Sequence, residues 1–238
     1  MAFRDRLSAV LQLVFPGRCL LCGEELMGEQ PAFSPVCGGC LQSLEPLRAD
    51  KRCRICSLPL ISERELCTRC RGRDYSFGRN LSLFEYRGQV RELIFQFKFR
   101  NRIRVGPVLA EFFRGALREM RPGALLVPVP GNPRSVRARG WDPMRVVAGA
   151  LAKAPGFGVR RLLSRRPGSE QKSLGYEQRR SNLSGKLHLV GPVPSGTERV
   201  ILLDDVFTTG ATASACARLL LEAGVRSVEV LSLAIDLP

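Results

Sequence analysis

The sequence predicts an α/β fold, a parallel sheet flanked by helices, preceded by a small cysteine-rich unit. Three observations predict it. Short apolar runs at 125–129, 159–163, 200–203 and 227–235 alternate with helix-periodic segments, the order that builds a parallel sheet. Eight of the nine cysteines fall in four C-x-x-C pairs between Cys19 and Cys70. The charge of +15 is unevenly shared, with 10 Lys/Arg against 8 Asp/Glu in residues 1–72 and 27 against 14 in residues 73–238. Two domains follow from this, 1–72 and 73–238, joined by the polar stretch 71–80. At 238 residues the chain is long enough for one α/β core and a satellite.

Within residues 1–15, Phe3, Leu7, Val10, Leu11 and Val14 recur at helical spacing, an amphipathic helix stopped by Pro16-Gly17. Its apolar face is expected to dock on the protein itself. No apolar run approaches the roughly 18–20 residues that span a bilayer, and no signal-peptide pattern is present, so the expectation is a cytoplasmic protein without membrane insertion.

The cysteines come next. In each C-x-x-C turn two thiolates can converge on one tetrahedral ion. The pairs Cys19/Cys22, Cys37/Cys40, Cys53/Cys56 and Cys67/Cys70 therefore predict two structural four-cysteine zinc sites. The simplest pairing closes each site locally, first pair with second and third with fourth; an interleaved cross-brace fits the spacing too. Four thiolates leave no position for a reacting water, so these sites scaffold rather than catalyse. Cys216, far from the rest, reads as a small core residue.

The second domain opens with a strand at 81–86. Leu93, Ile94 and Phe97 then fit a helical face, and Lys98, Arg100, Arg102 and Arg104 recur at every second position, a rail of charge or a solvated edge. A helix is expected over 107–120, with Pro107 in its first turn. The strand at 125–129 leads to a loop carrying Gly131, Arg134, Arg137, Arg139 and Gly140. A helix from Asp142 to Ala154 follows, with Asp142 as N-cap and Pro143 at its first position. A strand at 159–163 precedes a long basic segment, and residues 158–186 contain eight Lys/Arg and two acids. Strands at 187–190, holding the single His188, and at 227–235 complete the expected sheet.

The most informative stretch is R-V-I-L-L-D-D-V-F-T-T-G-A-T, residues 199–212. The apolar run 200–203 reads as a strand buried on both faces. Asp204 and Asp205 stand at its expected end, then a hydroxyl-rich turn hinged on Gly210, then a helix over 211–223 stopped by Gly224. Amides at a helix start, with Thr208, Thr209 and Thr212, can hold a phosphate monoester, and paired carboxylates can accept from vicinal sugar hydroxyls.

These residues resemble the phosphoribosyl-pyrophosphate (PRPP) motif of type I phosphoribosyltransferases. The resemblance implies PRPP binding by Asp204, Asp205, Phe207, Thr208, Thr209, Gly210, Ala211 and Thr212, with Arg137 and Arg139 near pyrophosphate. Over nearly its whole length the chain is similar to the ComF family, phosphoribosyltransferase-like proteins with a cysteine-rich N-terminus, some associated with competence and DNA uptake. Tyr86 with K-F-R at 98–100, R-G-W-D at 139–142, and Gln171, Leu174, Arg179, Asn182 and Gly185 carry the likeness. It departs at Gly131, where relatives often have a basic or aromatic residue, and at Pro143, where Gln is usual. Lys98 joins the PRPP set by this likeness, and Gln171, Lys172, Arg179 and Asn182 form an expected hood over bound substrate.

The implied chemistry is pentosyl transfer from PRPP with pyrophosphate release. Mg²⁺ would be held through the ligand, Asp204 and Asp205 would be the catalytic acids, and the acceptor is open. The alternative is a non-catalytic PRPP sensor or single-stranded DNA-binding protein acting with competence or recombination proteins. The excess of cations in 73–238 leaves room for nucleic acid as a partner, beside the plainer reading of a basic protein.

Overall fold

The computed structural model describes residues 17–26, 34–47, 51–61, 65–167 and 185–236. The amphipathic stretch 1–15 and the hood residues Gln171, Lys172, Arg179 and Asn182 lie outside them.

Five parallel strands form the main sheet: β1 (Asn80–Glu85), β2 (Leu125–Pro128), β3 (Gly158–Val159), β6 (Arg199–Phe207) and β7 (Ser227–Ile235). Their spatial order is β1-β7-β6-β2-β3. β6 and β7, the two longest, lie inside and pair over eight registered positions from Arg199↔Ser227 to Phe207↔Ile235. Their near-continuous apolar runs are what a strand covered on both faces requires. β2 pairs with β6 only as far as Pro128↔Leu203.

Helices α2 (Gly88–Phe99), α3 (Val105–Arg118) and α5 (Pro143–Ala150) bury Leu93, Ile94, Phe97, Leu109, Phe113 and Val147 with Ile201, Leu203 and Leu231 on one face. Helix α6 (Ala211–Glu222) covers the other face, where Cys216, Ala217 and Leu220 meet Val200, Leu202 and Val230. Truncating one of the fully buried Leu or Phe side chains to Ala should cost about 2–5 kcal/mol.

The cysteine-rich unit, which holds the short helix α1 (Gly38–Gln42), straddles this sheet. Cys19, Val36, Cys40 and Leu44 join the first cluster, while Cys53, Ile55, Cys56 and Cys70 join the second. Leu47 and Arg54 meet the outer edge of β1. Leu47 N–H donates to the Leu83 carbonyl (2.8 Å), and Asn80 N–H donates to the Arg54 carbonyl (2.8 Å). An edge strand that would otherwise offer unpaired backbone is thereby covered. A buried polar knot fastens the junction: Ser57 Oγ donates to the Asn80 carbonyl at 2.7 Å and accepts from Ser82 N–H at 2.9 Å, while Asn80, Ser82 and Ser232 bond among themselves.

Five expectations are corrected. The strand expected at 159–163 is only β3; after Arg160-Arg161 the chain turns away, and β4 (Leu163–Arg165) pairs antiparallel with β5 (Leu187–Leu189) in a separate two-stranded sheet. The strand at 187–190 therefore does not complete the main sheet. The loop expected at 131–140 contains helix α4 (Pro133–Arg139), capped by the Asn132 side chain, which accepts from Arg134 N–H at 2.9 Å. The every-second-residue rail does not exist, because Lys98 is helical in α2, Arg100 caps that helix and Arg102 and Arg104 lie beyond it. The helix expected at 142–154 is α5, which stops at Ala150.

Candidate active site at the reversal of strand order

From β2 the chain moves outward to β3 on one side, and from β6 to β7 on the other. The strand order thus reverses between β2 and β6, where an open α/β sheet leaves a crevice beyond its carboxyl ends. Asp204 and Asp205 lie there. They are not past the strand's end, as expected, but inside β6, which continues to Phe207 along β7 after β2 has stopped.

Local bonding adapts to that position. Asp205 N–H donates to Asp204 Oδ1 (3.0 Å), and Val206 N–H donates to Asp205 Oδ1 (2.7 Å). Face alternation slips here, since Leu203 and Val206 pack with one cluster and Leu202 and Phe207 with the other.

A cavity of about 240 Å³ opens over the pair, lined also by Lys98, Phe99, Gly131, Arg139, Asp142, Arg165 and Thr212. Lys98 Nζ stands 2.6 Å from Asp205 Oδ2, with side chains only 23% and 14% exposed. Burial alone would lower the Lys98 pKa; the Asp205 carboxylate overcomes it and the shift is upward. Asp204 makes no ion pair among the described residues. Burial first, and then the neighbouring Asp205 charge, raise it from 3.8 to about 7, against the pull of Lys98. One acid is thus paired with a cation while the other, without one, has its pKa raised toward neutrality, the arrangement that separates an acceptor from an acid–base group.

Gly210 is the N-cap of helix α6, and its φ of +76° suits glycine. A Cβ there would stand 2.7 Å from Phe207 Cζ. The N-cap Gly210 offers no side chain, the first-turn Ala211 N–H donates only at 3.4 Å to Thr209 Oγ1, and the first turn holds no acid, so the next amides keep their capacity for an anion. Thr208 is exposed, Thr209 and Thr212 are half-buried, and Phe207 and Ala211 are buried supports.

The two expected arginines part company. Arg139 lines the acid cavity, donates through Nε to the Lys98 carbonyl and lies over the Trp141 ring, 5.3 Å from its centre. Arg137, one turn-face away on α4, lines a second cavity instead. Between the cavities stands Gly131. Its N–H donates to Asp142 Oδ2 (3.0 Å), and a Cβ would crowd Val136 at 3.0 Å. Glycine fits there without displacing Val136. Asp142 also caps α5, accepting from Met144 N–H at 3.1 Å, with Pro143 at the first position. Phe99, Ser135 and Arg165 also line the acid cavity; sequence reasoning missed them, and only the K-F-R element pointed near Phe99. His188 sits in β5, outside this cavity, and Cys216 is buried in α6.

The eight cysteines form two groups, Cys19/Cys22/Cys37/Cys40 and Cys53/Cys56/Cys67/Cys70, each with sulfurs within 4.8 Å of one another. The local pairing is the one realised. Backbone N–H groups of Leu21 and Cys37 point at Cys19 Sγ (3.4 and 3.3 Å), and Cys67 N–H points at Cys53 Sγ (3.4 Å). Such donors stabilise thiolates, so the residues fit zinc, with all eight thiols as ligands. The ion would supply folding energy and no reaction step.

Comparison with known proteins agrees. Residues 10–71 match the double zinc ribbon domain. Competence protein ComFC of Streptococcus pneumoniae is 25% identical over 91% of this chain and 99% of its own. DNA utilization protein YhgH of Salmonella typhimurium is 28% identical over 92% and 96%. Competence protein F of Haemophilus influenzae is 27% identical over 92% and 97%. The likeness to the ComF family holds across the chain. Among solved structures, a hypoxanthine phosphoribosyltransferase of Staphylococcus aureus overlaps 55% of this chain and 62% of its own, at 14% identity and a TM-score of 0.33. One from Trypanosoma cruzi overlaps 59% and 66%, at 14% and 0.31. The fold class is the expected α/β one, a parallel sheet flanked by helices with an N-terminal double zinc ribbon. Among the described residues no helix is long and apolar enough to cross a membrane.

Proposed function

We propose that this ComF-like protein binds PRPP with Mg²⁺ in the Asp204/Asp205 cavity and transfers its pentosyl group, in the service of DNA uptake or use. The relatives named for competence and DNA utilization motivate the biological setting. One observation supports the chemistry: twin acids at the reversal of strand order, beside a helix start capped by a glycine and free of acids in its first turn. The 5′-phosphate would rest on the 208–212 turn through amides and threonine hydroxyls. Asp205, paired with Lys98, would accept from a ribose hydroxyl. Asp204, poised near neutrality, would accept from the second hydroxyl or take the acceptor's proton. Bound with PRPP, Mg²⁺ would offset pyrophosphate charge as the C1–O bond breaks and a bond to the acceptor forms. Arg139 would stand beside the leaving group, with the hood residues closing from outside. The division into domains 1–72 and 73–238 is proposed with it.

Calorimetry with PRPP and Mg²⁺ tests this. Wild type should bind, and the double variant Asp204→Asn/Asp205→Asn should lose most of the heat. Equal binding by that variant would sink the pocket. Pyrophosphate release with a panel of bases then separates transferase from sensor, since a sensor binds without turnover.

A further inference from the structure

The second cavity, about 400 Å³, is lined by four arginines brought from separate elements: Arg137 from α4, Arg145 from α5, Arg161 from the β3–β4 connection and Arg165 from β4. Among the described residues its only acid is Asp142, and both oxygens of that carboxylate already accept backbone N–H groups, from Gly131 and Met144. Arg137, Arg145 and Arg161 are exposed and make no ion pair among the described residues. Like charges gathered around one concavity repel each other, and a protein that needed only solubility would scatter them. Convergent guanidinium forks are the arrangement that matches phosphate oxygens. Arg137, Arg145 and Arg161 do not line the acid cavity; the two cavities meet along Val129, Pro130, Gly131, Val136, Asp142 and Arg165.

We propose that the four-arginine cavity is a second phosphate site, holding phosphate groups of a nucleotide or a nucleic-acid strand rather than those of PRPP. It accounts for cations in residues 73–238 that a single small anion would not need. Sharing a wall with the acid cavity, a ligand anchored here would present its adjoining part to the reacting pentose. Arg137, Arg145 and Arg161 lie outside the proposed PRPP pocket, so either site can fail alone.

The test uses the full zinc-loaded chain and two probes, tripolyphosphate and a short fluorescent oligothymidylate, followed by anisotropy and competition across a salt series. The double variant Arg145→Gln/Arg161→Gln should weaken strand binding at least about tenfold. For single strands the slope of log K against log salt changes by about 0.7 per phosphate contact, so two lost contacts should flatten it by about 1.4. Arg145→Lys/Arg161→Lys should restore the slope but only part of the affinity, since lysine keeps charge and loses the fork. The variant Asp204→Asn should bind both probes as wild type does. Loss of tripolyphosphate binding alone assigns a nucleotide; loss of both with the flattened slope assigns a strand. Wild-type affinity and slope for both probes in the glutamine variant, with an unchanged melting curve, would overturn the proposal.

Discussion

Replacing Lys98 by Met should expose how the two acids share their charge. The substitution keeps an apolar stem of similar length and removes only the ammonium that stands 2.6 Å from Asp205. Asp205 would retain Val206 N–H as donor (2.7 Å) but lose its counter-charge while only 14% exposed. Fully buried pairs cost about 3–5 kcal/mol when one partner is removed, and this one is partly solvated, so about 2–3 kcal/mol is expected at pH 8. For a chain of this size that is a fall in Tm of roughly 5–10 °C.

The pH dependence carries the sharper content. The folded pKa of Asp204, about 7, lies above its value of 3.8 as a free side chain. The folded state therefore holds that proton more tightly than the unfolded chain does. Stability from it is fully present below about pH 4 and drains away as pH rises through 7. Removing Lys98 lifts that pKa further, so at pH 5 a proton on Asp204 relieves the repulsion and the Lys98→Met penalty should shrink to about half. Thermal melts at pH 5 and pH 8, with Asp205→Asn in the same background closing a double-mutant cycle, measure this. A penalty equal at both pH values, or none at pH 8, would refute the coupling of the three groups.

Other outcomes follow from the same geometry. Gly210→Val should abolish PRPP binding and cost about 2–4 kcal/mol, because the new side chain meets Phe207 at 2.7 Å in a backbone region that branched residues avoid; intact affinity by calorimetry would contradict it. Removing zinc with a chelator should raise hydrogen exchange at Asn80 and Ser82, whose amides are held by the second ribbon, while β6 amides stay protected. Unchanged exchange in β1 would mean that the ribbon docks without its metal. Asn132→Ala should cost about 1 kcal/mol in urea titration by uncapping α4.

Much of this was legible in the residues, for reasons that also explain the misses. β7 and the core of β6 announce themselves as apolar runs, and α6 as a patterned segment between two glycines. The acids hid the continuation of β6, because Asp is poor in strands whose two edges are both paired; here one edge has already lost β2, and each carboxylate bonds the following amide. Asn132-Pro133 and Gly140 are a helix start and stop in plain sight, yet the density of arginine between them favours a loop reading. The departure of β4 from the main sheet leaves no local mark, since Arg160-Arg161 reads equally as strand or turn. The convergence of Arg137, Arg145, Arg161 and Arg165, and the knot of Ser57, Asn80, Ser82 and Ser232, come from residues far apart in the chain that only tertiary packing unites.

A crystal grown with PRPP and Mg²⁺ bears most directly on the pocket. The ribose hydroxyls should lie within hydrogen-bond reach of Asp204 and Asp205, with the 5′-phosphate on the amides that open α6. Density for the ligand elsewhere, with Lys98 still closed on Asp205 and the 208–212 turn empty, would contradict the account.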